Sequence, residues 1–446
     1  MRDSEQQASP AATATATPGV HRRWALAALG AGLALLTACG SSSSTSSGST
    51  SNLRMLNASG GYASLDLAID TVAANTGLAY GAVGTYTSAV STGVSTVVSA
   101  TGSSAALSSI TRTLNAGSHY TLVAYGPSGA LKTALISEDV AVAAANQASL
   151  QVMNLATDAG ALDVYLTGTS DALDSATANV SSVAAGSSAP YATVGAATYR
   201  LRVTGAGDKN DLRLDVQGLV LASTQVATLV LSQGPGGVLV NGVLLLQQGT
   251  ATALLNTQAR VRVVAAVSNN GLVSATVGSV VVASAAQAPN ISGYTAVLGS
   301  ALAPVTVSVN GTAVAVANQN LAVGGDYTLL VWGSAAAPKV TVLIDDNRFP
   351  TVAGSAKIRL INVTSGAPSA MTLKADFNPI ASSIAQGQAS AYGNVASSTS
   401  MRLDVSSATN ANVYTLSPAT IVAKGLYTMY LLGDSAAPVV DFRKDR

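Results

Sequence analysis

Apolar and polar residues alternate with a period of two in segment after segment of the chain. In YRLRVTG, Tyr199, Leu201 and Val203 point one way while Arg200, Arg202 and Thr204 point the other, the pattern of a half-buried strand. VTVSVNGTAVAV, starting at Val305, reads as two strands joined at Asn310-Gly311, a pair that supplies the positive φ angles of a tight hairpin. KVTVLID from Lys339 alternates in the same way. No stretch carries a convincing helical period, because the Ala-rich runs are broken by Gly, Ser, Thr and β-branched residues. These patterns predict an all-β chain.

The strands recur as a unit. LRMLNAS at Leu53 returns as LQVMNLA at Leu150, VRVVAAV at Val261 and IRLINVT at Ile358, with separations of 97, 111 and 97 residues. A tyrosine follows the opening by 33 or 34 residues in three copies, at Tyr86, Tyr294 and Tyr392. In the second copy Tyr191 comes 41 residues after Leu150, which predicts an insertion before it. A third marker closes each copy: GSHYTLVAYG with Tyr120, GGDYTLLVWG with Tyr327, AKGLYTMYLLG with Tyr427, and TQVATLVLSQG with Ala227 in the tyrosine's place. Units near 100 residues with about seven short strands suggest four tandem immunoglobulin-like antiparallel β-sandwich domains. The expected repeats cover residues 53–140, 150–249, 258–348 and 356–446, with joints near 140–149, 250–257 and 349–356. The buried cysteine pair and tryptophan of immunoglobulin domains are missing, so that likeness is architectural.

LQVMNLATDAGALDVYLTG (Leu150–Gly168) resembles the opening of the domain of unknown function 4397 family of secreted and lipid-anchored bacterial proteins, with Asp163-Val164-Tyr165 as its second-strand element. The family's Gly-x-x-Tyr-Thr strand is matched at Gly117–Thr121 and Gly324–Thr328, and at Tyr427-Thr428 with the glycine displaced to Gly425. The third copy reads SATVGSV where the Asp-Val-Tyr element would be. The resemblance implies a sandwich fold and an extracytoplasmic address, and no activity.

The first 38 residues have a different texture. His21, Arg22 and Arg23 precede an uncharged Ala/Leu stretch from Trp24 to Ala38, the layout of a signal peptide whose apolar run is too short to span a bilayer. Leu36-Thr37-Ala38-Cys39 looks like the lipobox of bacterial lipoproteins, and Cys39 is the chain's one cysteine. That likeness implies cleavage before Cys39, a thioether-linked diacylglycerol on it, and acylation, for instance by palmitate, of the new amino terminus. Several acyl chains suffice to hold a domain on a membrane, at about 0.8 kcal/mol per buried methylene. Gly40, where an aspartate would signal inner-membrane retention in some bacteria, favours the outer membrane if the cell has one. Residues 39–52 read as a lipidated, Ser-rich tether.

Composition narrows the chemistry. Of 22 Lys and Arg and 21 Asp and Glu, residues 1–38 hold three and two, so 19 of each remain after cleavage. No basic excess exists to attract nucleic acid. One histidine remains, His119, which reads as a rim residue at the start of a strand and not as the centre of a catalytic triad. Zinc needs His or Cys clusters, and none is present. Asp345-Asp346-Asn347 closes the third repeat and makes Asp345 and Asp346 weak calcium candidates, against a solvated turn. GDKND, with Asp208, Asn210 and Asp211, reads better as a hairpin tip than as half a calcium loop. Tyr165, Tyr191, Tyr294, Trp332 and Tyr392 could stack on sugars if exposed in a row; as core or corner residues they would only shape the fold.

The expectation is therefore a non-enzymatic, lipid-anchored cell-envelope protein with a structural, adhesive or ligand-display role. It needs no cofactor, binds no nucleic acid, and has the membrane as its first partner through Cys39. The alternative is a surface protein that binds an extracellular glycan or peptide through a groove.

Overall fold

Each opening strand is apolar on both faces, and that double pattern organises the molecule. The computed structural model describes residues 49–366, 370–435 and 437–446. The signal segment 1–38, Cys39 and the Ser-rich run to residue 48 lie outside the described residues. Among the described residues there are strands and turns and no helix.

Every repeat is a sandwich of two sheets. In the first, one sheet is ordered Thr87–Val90, Thr50–Asn57, His119–Tyr125, Lys132–Ser137, and it faces a second sheet ordered Val72–Ala79, Ser64–Ile69, Val94–Ala100, Ala106–Arg112. Leu53, Met55, Leu65, Leu67, Val98 and Leu122 meet between them. The other repeats reproduce this plan around the opening strands Gln147–Asn154, Gln258–Val267 and Ser355–Ser365. Val305–Val309 and Thr312–Val314 form the expected hairpin, with Asn310 at φ 50° and Gly311 at φ 80°.

One pairing departs from the antiparallel expectation. In each repeat the opening strand runs parallel to the strand that carries the third marker, with Leu53 opposite Tyr120, Leu150 opposite Ala227, Val261 opposite Tyr327 and Ile358 opposite Tyr427. The first and third sequence markers are therefore neighbours in one sheet. The chain crosses to the facing sheet between them, and so long a connection permits parallel pairing.

Two details differ from the boundaries read in the sequence, and the expected insertion before Tyr191 can be placed. Thr50 and Ser51 pair with Val90 and Ala89, so the strand takes in the polar end of the supposed tether. Their side chains look like linker; their backbone groups complete a ladder. Residues 250–257, read as a joint, contain the strand Ala251–Leu254, which pairs with Val240–Leu246. The insertion of the second repeat lies between Leu162–Thr167 and Val180–Val183, where the first repeat has only the turn between Ile69 and Val72.

The sandwiches associate in pairs. The outward face of the first repeat's opening sheet, with Leu56, Val123 and Ile136, packs on Met153, Val230 and Val243 of the second. Val264 and Leu330 of the third repeat likewise pack on Ile361, Val363, Tyr430 and Leu432 of the fourth. Each opening sheet is thus buried on both faces, which is why the strands read LRMLN or LYTMYLLG instead of alternating cleanly. Burying one such Val, Leu or Ile side chain contributes about 1.5–3 kcal/mol.

Candidate functional site

The paired sheets are apolar towards one end and charged towards the other. The residue after Leu53 is Arg54, whose side chain leaves the sandwich core and enters the joint with the second repeat. Its Nε donates to Thr121 Oγ1 at 2.9 Å and its Nη2 to Glu138 Oε1 at 2.9 Å. The Tyr86 ring lies 4.5 Å from the guanidinium, and its hydroxyl donates to Glu138. Nη1 continues to the Gly249 carbonyl of the second repeat at 2.6 Å.

The same cell recurs. In the third repeat Arg262 Nε donates to Thr328 Oγ1 at 2.8 Å over the Tyr294 ring, and both Thr328 and the Tyr294 hydroxyl donate to Asp345 at 2.6 Å. In the fourth, Arg359 Nε donates to Thr428 Oγ1 at 3.0 Å over the Tyr392 ring, and Thr428 donates to Asp445 at 2.5 Å. The ion pairs are exchanged across the joint. Arg262 Nη1 lies 2.6 Å from Asp445 of the fourth repeat, and Arg359 Nη1 lies 2.7 Å from Asp345 of the third.

The second repeat keeps Thr228 and Tyr191, whose hydroxyls are 3.5 Å apart, but has Gln151 in the arginine's register position and Gln247 in the carboxylate's. Both charges are missing together. Gln247 instead exchanges two hydrogen bonds with the backbone of Val140, at 2.9 and 2.8 Å. A polar constellation is therefore repeated in three of the four sandwiches.

Burial sets the electrostatics. Burial by itself would raise the Asp345 carboxyl, but Arg359, Arg262 and the hydrogen bonds from Thr328 and Tyr294 hold it below the usual carboxylate range. Burial, and then Asp345, pushes the Tyr294 phenol well above its ordinary value. Both calcium candidates are accounted for by cations. Asp345 is fully buried against arginine, and Asp346 pairs with Arg348 at 2.7 Å and Lys357 at 3.2 Å. A calcium ion there would have to displace them. Among the described residues no three His, Cys, Asp or Glu side chains gather as metal ligands.

Other sequence candidates also resolve into local roles. His119 opens its strand; Asp139 holds its Nδ1 at 3.0 Å and Asn52 its Nε2 at 3.2 Å, so both ring nitrogens are engaged. In GDKND, Asp208 caps its own hairpin through the Asn210 amide at 2.9 Å, while Asp211 joins Arg213 to Arg260 of the third repeat. Asp163 accepts the amides of Ser182 and Gly207 at 2.7 and 2.9 Å. Its neighbour Tyr165 is buried. The Trp332 indole donates to Thr341 and approaches Gly387 of the fourth repeat so closely that a Cβ there would run into it. The five rings form no exposed row. Tyr120, Tyr327 and Tyr427 are corner residues, each accepting the backbone amide five residues upstream, at 3.1, 2.7 and 2.9 Å.

A family model described as a domain of unknown function (DUF4397) matches residues 51–165 and 259–373, together more than half of the chain. The chain belongs to this family. Each DUF4397 match starts at the first sandwich of a pair and ends in the second strand of its partner. The segment that carries the resemblance in the sequence, Leu150–Gly168, is thus the closing part of the first match. No curated protein matches the chain.

Sequence reasoning missed Arg54, Arg262, Arg359, Glu138 and Asp445 as a set. The signal was present: an arginine one place after the opening apolar residue in three copies, and an acid at the end of the closing strand or one place beyond it in the same three.

Proposed function

We propose that this DUF4397 chain is a non-enzymatic, lipid-anchored protein of the cell envelope, whose four sandwiches form a rigid structural or ligand-display head. The observation that carries this reading is where the repeated charges lie. In the third and fourth repeats arginine and carboxylate pair across the joint between sandwiches, and in the first the Arg54–Glu138 pair sits at the joint and reaches Gly249 of the second, so the charges bear on how the domains dock. A group held in a buried ion pair makes a poor proton carrier at neutral pH. The anchor rests on Leu36-Thr37-Ala38-Cys39 and the apolar run before it. Radiolabelled palmitate should enter the expressed protein and fail to enter Cys39→Ala, which should accumulate unprocessed or be released. Equal labelling of both would remove the anchor from the proposal. Turnover on an ester, peptide or glycoside panel that disappears in His119→Ala would remove the non-enzymatic part.

A further inference from the structure

A cleft of about 830 Å³ opens where residues of all four repeats meet, walled on one side by the end of the third repeat and the segment that leads to the fourth. Its size falls within the range of small-molecule sites. Five cationic side chains line it against two carboxylates, Asp158 and Asp346. Arg348 and Lys357 are matched by Asp346. Lys132 of the first repeat and Lys424 of the fourth make no ion pair among the described residues.

Three further lining residues carry buried polar atoms with no partner: Arg359, through its Nη2 donor, Gln233, through Oε1, and Tyr392, through its hydroxyl. Buried polar atoms in folded proteins are nearly always paired, so each such exception calls for an explanation. The Arg359 side chain is only 2% exposed, and its other nitrogens are already taken by Thr428 and Asp345. Tyr125, Phe349 and Tyr392 supply aromatic surface to the same cleft.

Lys424 is placed at a conformational cost. Its φ is 64°, in the turn position that Gly117, Thr224 (φ 66°) and Gly324 occupy in the other three repeats. All four donate their amide to the opening strand at 2.7 Å, so the turn is the same. A side chain in the left-handed region is disfavoured where glycine is not, so Lys424 can be replaced by glycine without strain in this turn.

We propose that this cleft binds a small acidic sugar, with its carboxylate or phosphate held by Lys132 and Lys424 and its ring against the aromatic surface. An anion satisfies the cationic excess, and a ring hydroxyl satisfies Gln233 Oε1. The inference goes beyond the envelope role and does not depend on the anchor, because Cys39 takes no part in it.

The test is calorimetric titration of the purified chain at low salt with glucuronate, glucose 6-phosphate, glucose and inorganic phosphate. Saturable binding of either acidic sugar is expected, with glucose and inorganic phosphate at least about tenfold weaker, a difference of about 1.4 kcal/mol. Lys132→Ala and Lys424→Gly should each weaken binding about tenfold, a size in keeping with loss of one charged hydrogen bond. Lys424→Gly should also leave the unfolding midpoint unchanged or higher, which separates loss of the cation from loss of the fold. Glucuronate and glucose 6-phosphate distinguish a carboxylate ligand from a phosphate one. The proposal is overturned if neither acidic sugar binds, if glucose or inorganic phosphate binds as tightly, or if both substitutions leave the affinity unchanged.

Discussion

Arg359 of the fourth sandwich lies 2.7 Å from Asp345 of the third, and both side chains are almost wholly buried. The pair bridges two domains whose opening sheets already share an apolar face. Removing one partner of a buried ion pair typically costs about 3–5 kcal/mol, because the other charge is left uncompensated. Arg359→Met and Asp345→Asn should each destabilise the third and fourth repeats by that order. Arg359→Met combined with Asp345→Asn should cost clearly less than the two together. Denaturant unfolding in a double-mutant cycle measures the coupling, and strict additivity would show that the two charges do not act as a pair.

The second repeat offers the converse experiment. With Gln151 and Gln247 in place of arginine and carboxylate, its cell is neutral. Gln151→Arg alone should destabilise the chain by about 1–3 kcal/mol, the desolvation cost of a group without its partner. Adding Gln247→Glu should restore part of that loss. A double variant as unstable as the sum of its parts would mean that these positions do not form a cell in this repeat.

Stability should form a plateau bounded on both sides by buried groups. Asp345, Asp211 and Asp346 have carboxyls held below their usual range, so their contribution is present above about pH 4 and lost as pH falls through their lower folded values. Burial first, with nearby carboxylates adding to it, raises the phenols of Tyr86, Tyr294, Tyr392 and Tyr430. Their contribution is complete below about pH 10 and lost as pH rises towards the folded values. Unfolding midpoints recorded across pH should fall at both ends. Tyr294→Phe should lower stability at neutral pH and shrink the alkaline decline; an unchanged alkaline limb would contradict this assignment.

Tyr430 presents the opposite case. Its ring is fully buried between the third and fourth repeats, and its hydroxyl has no hydrogen-bond partner. Tyr430→Phe keeps the packing and removes an unsatisfied group, so stability should stay the same or rise by up to about 1 kcal/mol. A loss above about 2 kcal/mol, read from thermal unfolding, would mean that the hydroxyl is bonded in solution.

Gly387 tests the joint from the other side. Its φ is 73° and its Cα faces the Trp332 indole of the third repeat, so it lacks both the conformational licence and the space for a side chain. Gly387→Ala should cost about 1–3 kcal/mol through overpacking, and pairing it with Trp332→Leu should recover part of that loss. Equal costs in both backgrounds would place the strain in the backbone alone.

Period-two alternation, the Asn310-Gly311 turn and the recurring openings were enough to determine an all-β chain of repeats, while the likeness to DUF4397 rested on Asp163-Val164-Tyr165 and the Tyr-Thr strands. These are local properties: strand period follows from backbone geometry, and glycine at a left-handed turn follows from sterics, wherever the segment sits. The Tyr-Thr marker also kept its meaning, because a tyrosine corner closes within five residues. Only the tertiary structure decided that the sandwiches dock in pairs, that Arg262 and Arg359 exchange carboxylate partners, and that Asp345 is buried against guanidinium groups. An arginine one place after Val261 has the same sequence spacing whether it points to water or to another domain. Its partner, Asp445, lies 183 residues away on a different sandwich. Burial between domains is a property of two surfaces brought together, and one strand's pattern records only that its outer face is apolar.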